Sequence, residues 1–384
     1  MKIIILCFCL YLILCPFYFF PSGQPQVADF VLSVAVLAFF FQRQHVTTPN
    51  DKVTKYLKWF VIVVVLVNLA HFVVFAFTGT EIAYDFLLSL SYYIFNAFVF
   101  VIALSIFKNN TLNIFYYTII VSLLIQVFLG VLGITGAFYD GLQARTIIFF
   151  NNPNQLGYYA LLMQTLFVLI SFSAKKTNIL ILSAITLMCL YLSLLSGSRA
   201  AMGGVFLLLF LCIFLQKELS LIKIFSMAFL LIILVVLFVN VKSDLVESQI
   251  YLFELRQERD RNRDISQFEL RGYDRIIKYP EHLFFGAGEG QHTRFANAFH
   301  QGELHSGMGT ILFSYGILGT IFFVLFIKRI IQDRKWLGLF ILLPVVVYNL
   351  THQGLRQSLL WMMFALLYYV CSASKYETKQ LPQP

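Results

Sequence analysis

Apolar runs separated by short polar gaps occupy most of this chain. Runs long enough to cross about 30 Å of hydrocarbon fall at roughly 3–20, 27–41, 57–78, 84–107, 112–134, 155–173, 178–195, 200–216, 221–241, 307–327, 336–350 and 355–373. The pattern predicts about twelve transmembrane helices, an all-α polytopic membrane protein whose residues 1–384 form a single integral membrane domain. One long polar stretch, residues 242–305, interrupts the rhythm between the ninth and tenth runs and reads as a large water-facing loop inserted in that domain. Met1-Lys2 and the apolar run after it resemble a signal peptide, but the run is long, no A-x-A site follows and further runs come after it. It is read as a retained first helix.

Composition and charge add an orientation. Of 384 residues, 59% are hydrophobic and 12% charged, about half the charged share of a soluble domain. The net charge of +9 would raise the question of nucleic acid in a soluble chain. Here the basic residues fall in gaps between apolar runs, so a lipid bilayer and no nucleic acid is the expected surroundings. With the amino terminus inside, the inner gaps and tails hold sixteen basic residues: Lys2, Arg43, Lys52, Lys55, Lys58, Lys108, Lys175, Lys176, Lys217, Lys223, Lys328, Arg329, Arg334, Lys335, Lys375 and Lys379. Apart from residues 242–305, the outer gaps hold Arg145, Arg199 and Arg356. This bias places both termini in the cytoplasm and the long loop on the opposite side. The six cysteines all lie within apolar runs and read as small core residues rather than a disulfide framework or a metal site.

The three outer arginines oppose the rule that orders the others. Arg199 stands in L-S-G-S-R-A-A-M-G-G, residues 195–204, between two apolar runs. A guanidinium near hydrocarbon costs roughly 2.5 to 3.5 kcal/mol on insertion scales, which makes an ionisable residue at such a junction a functional-site candidate. Snorkelling explains one cation at a membrane surface. It does not explain why all three are arginine, whose planar fork suits bidentate anion recognition. Arg145 precedes N-N-P-N-Q at 151–155, where Asn152 can cap and Pro153 can open the sixth run.

The 242–305 segment carries further candidates. Its charge-rich stretch E-L-R-Q-E-R-D-R-N-R-D, residues 254–264, reads as a solvated helix face. In F-E-L-R-G-Y-D-R-I-I-K-Y-P, a helix running up to Pro280 would put Arg271 and Arg275 four residues apart on one face. There they would present two guanidiniums together or pair with Glu269 and Asp274. F-F-G-A-G-E-G, residues 284–290, lacks the strand-then-helix setting of a dinucleotide fingerprint and reads as a glycine turn that lets the backbone approach a ligand or a neighbour. His282, His292, His300 and His305 have no H-x3-H or H-x-H spacing, so no metal site is expected. His305 stands at the outer mouth of the tenth run, where an imidazole can serve as a base or simply as an interfacial helix cap.

In order along the chain, Arg145 with N-N-P-N-Q, S-G-S-R at 196–199, R-G-Y-D-R at 271–275 followed by P-E-H-L-F-F-G-A-G-E-G, and L-H-S-G-M-G-T-I-L-F-S-Y-G-I-L-G from Leu304 resemble the motifs of the O-antigen polymerase and O-antigen ligase superfamily. The resemblance covers about residues 140–325. It departs at His305-Ser306, where members often carry His-Asn, and at Tyr273, where a tryptophan is common nearby. It implies a GT-C-like enzyme of the bacterial inner membrane that moves a glycan from undecaprenyl pyrophosphate to an acceptor hydroxyl, with the active site facing the periplasm. A glycosyl pyrophosphate already has a good leaving group, so such a site needs cations for the developing anion and a base for the attacking hydroxyl.

By this resemblance Arg199 and Arg271 bind the pyrophosphate and His305 orients or deprotonates the acceptor, the three forming the catalytic set. Arg145, Asn154 of its motif and Arg275 are the substrate-binding candidates. Arg356, in T-H-Q-G-L-R-Q, joins them from topology alone. Metal-dependent relatives of similar architecture place an acidic pair in the first outer loop, which here reads P-S-G-Q-P-Q. Catalysis without a metal, a nucleotide or another cofactor is therefore expected. The implied partners are the lipid-linked oligosaccharide donor, a glycan or lipid A core acceptor and a chain-length regulator protein. N-N-P-N-Q-L-G-Y-Y is closer to the polymerases, which extend a polysaccharide by repeat units. A ligase using lipid A core, and a lipid-linked glycan transporter, are the alternatives. A transporter would favour internal repeats, and none is evident.

Overall fold

The computed structural model of the chain describes residues 1–21, 23–42, 52–78, 84–107, 111–134, 136–140, 143–173, 178–215, 251, 254, 255, 258, 266–299 and 302–377. Helices dominate it. They are α1 (Lys2–Leu14), α2 (Val27–Phe41), α3 (Lys52–Phe77), α4 (Tyr84–Phe107), α5 (Leu112–Val131), α6 (Pro153–Ser173), α7 (Ile179–Ser196), α8 (Arg199–Leu215), the short α9 (Gln267–Leu270), α10 (Asp274–Lys278) and α11 (His282–Phe285), then α12 (Gly307–Ile331), α13 (Lys335–Thr351) and α14 (Ser358–Glu377). Among the described residues, five helical stretches are long and apolar enough to cross a membrane: Lys52–Phe77, Tyr84–Phe107, Leu112–Val131, Pro153–Ser173 and Gly307–Thr351, the last joining α12 and α13. Their length and composition are compatible with a multi-pass membrane protein. The apolar run at 221–241, most of the charged stretch 254–264 and His300 lie outside the described residues.

The hydrophobic pattern predicts no strand, yet β1 (Gly136–Asp140) and β2 (Gln143–Ile148) pair as an antiparallel hairpin. Phe138 faces Arg145 in its register, and a bulge follows Gly136. The hairpin leads directly into α6.

The chain forms two compact units. The first comprises Met1–Gln42, Ile106–Arg263 and Leu339–Tyr348, and α6 packs in it against α5, α7 and α8. Almost every residue of α6 is buried, as expected of a helix that is small or apolar around its whole circumference. Glycines set the close approach to α8. A Cβ on Gly157 would lie 2.8 Å from Ala201 Cβ, and one on Gly204 would lie 2.9 Å from Leu161 Cδ2. In lipid such tight dispersion contacts hold helices together, helped by polar bonds between them. Gln164 Nε2 donates to Thr186 Oγ1 of α7 at 3.2 Å, and Ser122 Oγ of α5 donates to Leu12 O of α1.

The second unit comprises Arg43–Ser105, Asp264–Gly338 and Asn349–Pro384. Here α12 packs against α3, α11 and α14. Its helix is broken by Gly316 at φ +64° and ψ −168°, a conformation open chiefly to glycine. The break frees carbonyls from the helical ladder, and the glycine turn takes them up. Ala287 N donates to Phe313 O and Gly288 N to Ser314 O, each at 2.9 Å. The turn's close approach is thus to a neighbouring backbone. From α3, Asn68 Oδ1 accepts from Glu289 N at 2.8 Å, and His71 Nε2 lies 3.1 Å from Gly286 O.

Candidate functional site

In the first unit, S-G-S-R resolves into a helix stop and a helix start. Gly197 ends α7 at φ +57°, the left-handed cap that glycine adopts readily. Ser196 Oγ accepts from Ser198 N at 3.1 Å. Ser198 then caps α8, its hydroxyl accepting from Ala201 N at 3.4 Å and its carbonyl from Met202 N at 3.0 Å. Arg199 is therefore the first residue of α8, and it is exposed. A cation there opposes the helix dipole by about 0.3 to 1 kcal/mol, so helix stability does not account for the arginine.

Arg145 reaches the same turn from β2. Its Nε donates to Ser196 O at 2.9 Å and its Nη2 to Asn154 Oδ1 at 3.1 Å. One guanidinium thereby satisfies a carbonyl left over at the end of α7 and ties it to the first turn of α6. That turn forms as the N-N-P-N-Q spacing predicts. Asn152 Oδ1 accepts from Asn154 N at 2.8 Å, and Gln155 Oε1 accepts from Asn152 N at 3.2 Å, a reciprocal cap with Pro153 at the first helical position. Asn154 O accepts from the Tyr348 hydroxyl at 2.7 Å, and Tyr348 stacks on Tyr158 with ring centroids 4.3 Å apart. Arg145, Asn154 and the turn that presents Arg199 are thus built together.

In the second unit, the helix expected up to Pro280 is interrupted at Gly272, φ +78°, between α9 and α10. The turn sends Arg271 and Arg275 to different partners. Arg271 Nη1 donates to Thr351 O, and its carbonyl accepts from His305 N at 3.0 Å. Arg275 is 1% exposed, donates from Nη2 to Gly302 O and lies 5.2 Å over the Phe295 ring. Glu269 caps α9, accepting from Ser266 N at 3.1 Å. Asp274 pairs with Lys278 at 3.0 Å and accepts from Phe299 N at 2.8 Å.

His305 is exposed and immediately precedes Ser306, the cap of α12, whose Oγ accepts from Gly309 N at 3.0 Å. The Tyr273 hydroxyl lies 2.6 Å from both Ser306 Oγ and Leu350 O. Gly307 N donates to His352 O at 3.0 Å. Tyr273 thus joins the short helices to the base of α12 and to the end of α13.

Arg356 stands between two carboxylates, Glu289 and Glu303, that no spacing in the sequence links to it. Its Nη2 lies 2.7 Å from Glu289 Oε1 and its Nη1 2.9 Å from Glu303 Oε1. Burial lowers its affinity for a proton, but Glu289 and Glu303 outweigh that effect and keep it firmly charged. Glu289 also accepts from the Tyr315 hydroxyl at 2.6 Å and from Gln353 Nε2 at 3.1 Å. Burial pushes the Glu303 carboxyl up, yet Arg356 and His292 outweigh it and leave Glu303 below the usual carboxylate range. Burial drives His292 down despite Glu303 and Glu289. A small cleft lined by Arg275, Glu289, His292, Glu303 and Gln353 opens beside this cluster. Among the described residues, no group of three or more His, Cys, Asp or Glu is placed to hold a metal ion.

The chain matches no protein-family model and no curated protein sequence.

Proposed function

We propose that the chain is a bacterial inner-membrane glycosyltransferase that moves a glycan from undecaprenyl pyrophosphate to an acceptor hydroxyl, extending a polysaccharide by repeat units. The proposal includes twelve spans, both termini in the cytoplasm and residues 242–305 in the periplasm. In this reading Arg199, Arg271 and Arg145 hold the pyrophosphate. His305 takes the proton of the acceptor hydroxyl as its oxygen bonds to the anomeric carbon. The bond from that carbon to the phosphate oxygen breaks, undecaprenyl pyrophosphate leaves as the anion, and the imidazolium later returns its proton to water.

The observation that carries the reading is the placement of His305. It is exposed, while its backbone is fixed by the bond to Arg271 O, which suits a base that must meet an incoming hydroxyl in a defined geometry. The exposed Arg199 at the head of α8, where the dipole disfavours a cation, is the second support, because an anion reverses that penalty. The lipopolysaccharide of a deletion strain tests the proposal. Loss of the polymerase leaves core plus one repeat, loss of a ligase leaves bare core, and an unchanged ladder removes the chain from this pathway.

A further inference from the structure

We propose that Glu289 is a positioning residue for His305, acting through Arg356 and Glu303. This rests on the reading of His305 as the base. Glu289 is 1% exposed, and burying a carboxylate costs several kcal/mol unless its partners are well placed. Here they are. Tyr315, Gln353 and two nitrogens of Arg356 converge on its two oxygens, and its backbone N–H is held by Asn68. Glu289 is a fixed point, and Arg356 carries that fixity outward to Glu303, whose side chain is 47% exposed.

Glu303 lies two residues before His305, in a segment with no helix or strand of its own. Each residue of that segment is nevertheless fastened. Gly302 O accepts from Arg275, Glu303 is held by Arg356, Leu304 is buried, and His305 N donates to Arg271 O. Capping α12 requires only Ser306. Four consecutive attachments immediately before it serve the residue they lead to, since a reacting group must be held by a surrounding shell. In this arrangement Arg275, through the Gly302 carbonyl, and Arg356, through the Glu303 side chain, act on the segment that carries His305 rather than on the substrate.

The test compares the parent with Glu289→Gln and Glu303→Gln, purified and returned to liposomes with an undecaprenyl pyrophosphate-linked repeat unit as donor. Displacing an oriented group by about 1 Å costs up to ~10²-fold, so kcat is expected to fall about 10- to 100-fold in both variants with the donor KM unchanged. The exposed Glu303→Gln keeps the test valid if the buried variant does not accumulate. The second readout needs no transfer: the rate at which diethyl pyrocarbonate modifies His305, followed by mass spectrometry, should change in both variants. Parental kcat together with a parental modification rate overturns the proposal. If the parent itself transfers no glycan, the proposed function fails separately. The modification rate then decides alone, a change supporting the positioning chain and no change overturning it.

Discussion

The backbone N–H of His305 donates to the carbonyl of Arg271 at 3.0 Å, so R-G-Y-D-R and the H-S-G-M-G motif are joined through main-chain atoms. A substitution of the His305 side chain leaves that bond in place. His305→Ala should therefore abolish glycan transfer while membrane abundance stays near parental, because an exposed imidazole contributes little to packing. Transfer close to the parental rate would return His305 to a capping role and move the search for the base to Glu303 or His300.

Arg199 separates anion binding from snorkelling. A lysine can also run its stem along lipid and leave its charge at the surface, so a snorkelling position should accept Arg199→Lys freely. A pyrophosphate clamp loses its fork. Charge-assisted hydrogen bonds contribute roughly 1.5 to 3 kcal/mol, which corresponds to a loss of about tenfold to a hundredfold in transfer rate. Activity of Arg199→Lys and Arg199→Ala at matched abundance is the measurement, and near-parental activity in the lysine variant would refute the clamp.

Gly157 tests the packing that sets the start of α8. A Cβ there would lie 2.8 Å from Ala201 Cβ and 2.9 Å from Ser196 Oγ and Ser198 Cβ, short groups with little room to swing away. Gly157→Ala should destabilise the protein by about 1 to 3 kcal/mol and lower its unfolding temperature in detergent. An unchanged unfolding temperature would mean that α6 and α8 do not approach this closely.

Much of this organisation is legible in the sequence where the signal is local. The start of α6 follows from Asn152 and Pro153, and the α7–α8 junction follows from S-G-S-R, because capping is decided by a few adjacent residues. The strands at 136–140 and 143–148 fall in the gap between the 112–134 and 155–173 runs, where short segments without a clean alternation of apolar and polar residues give no strand signal. The break at Gly272 was not legible. Its flanking residues suit a helix, and the tertiary attachments of Arg271 and Tyr273 accompany the turn there. The Glu289–Arg356–Glu303 chain has no local pattern at all. Its members come from three separate stretches and meet only in the folded unit, though Glu289 is the one charged residue in F-F-G-A-G-E-G.

Orientation is tested independently of chemistry. Reporter fusions after Lys108, Lys176, Lys223 and Lys335 should be cytoplasmic, and fusions within 242–305 periplasmic, as the distribution of basic residues requires. A cytoplasmic 242–305 segment would place His305 and Arg271 in the wrong compartment and end the proposed function.

The most direct measurement is glycan transfer by the purified protein in liposomes, with an undecaprenyl pyrophosphate-linked repeat unit as both donor and acceptor, in excess EDTA and without nucleotide. If the proposed function holds, the parent produces a ladder of extended lipid-linked glycan and His305→Ala produces none. No ladder from folded parent protein, or activity that appears only when Mg2+ or Mn2+ is restored, would contradict it.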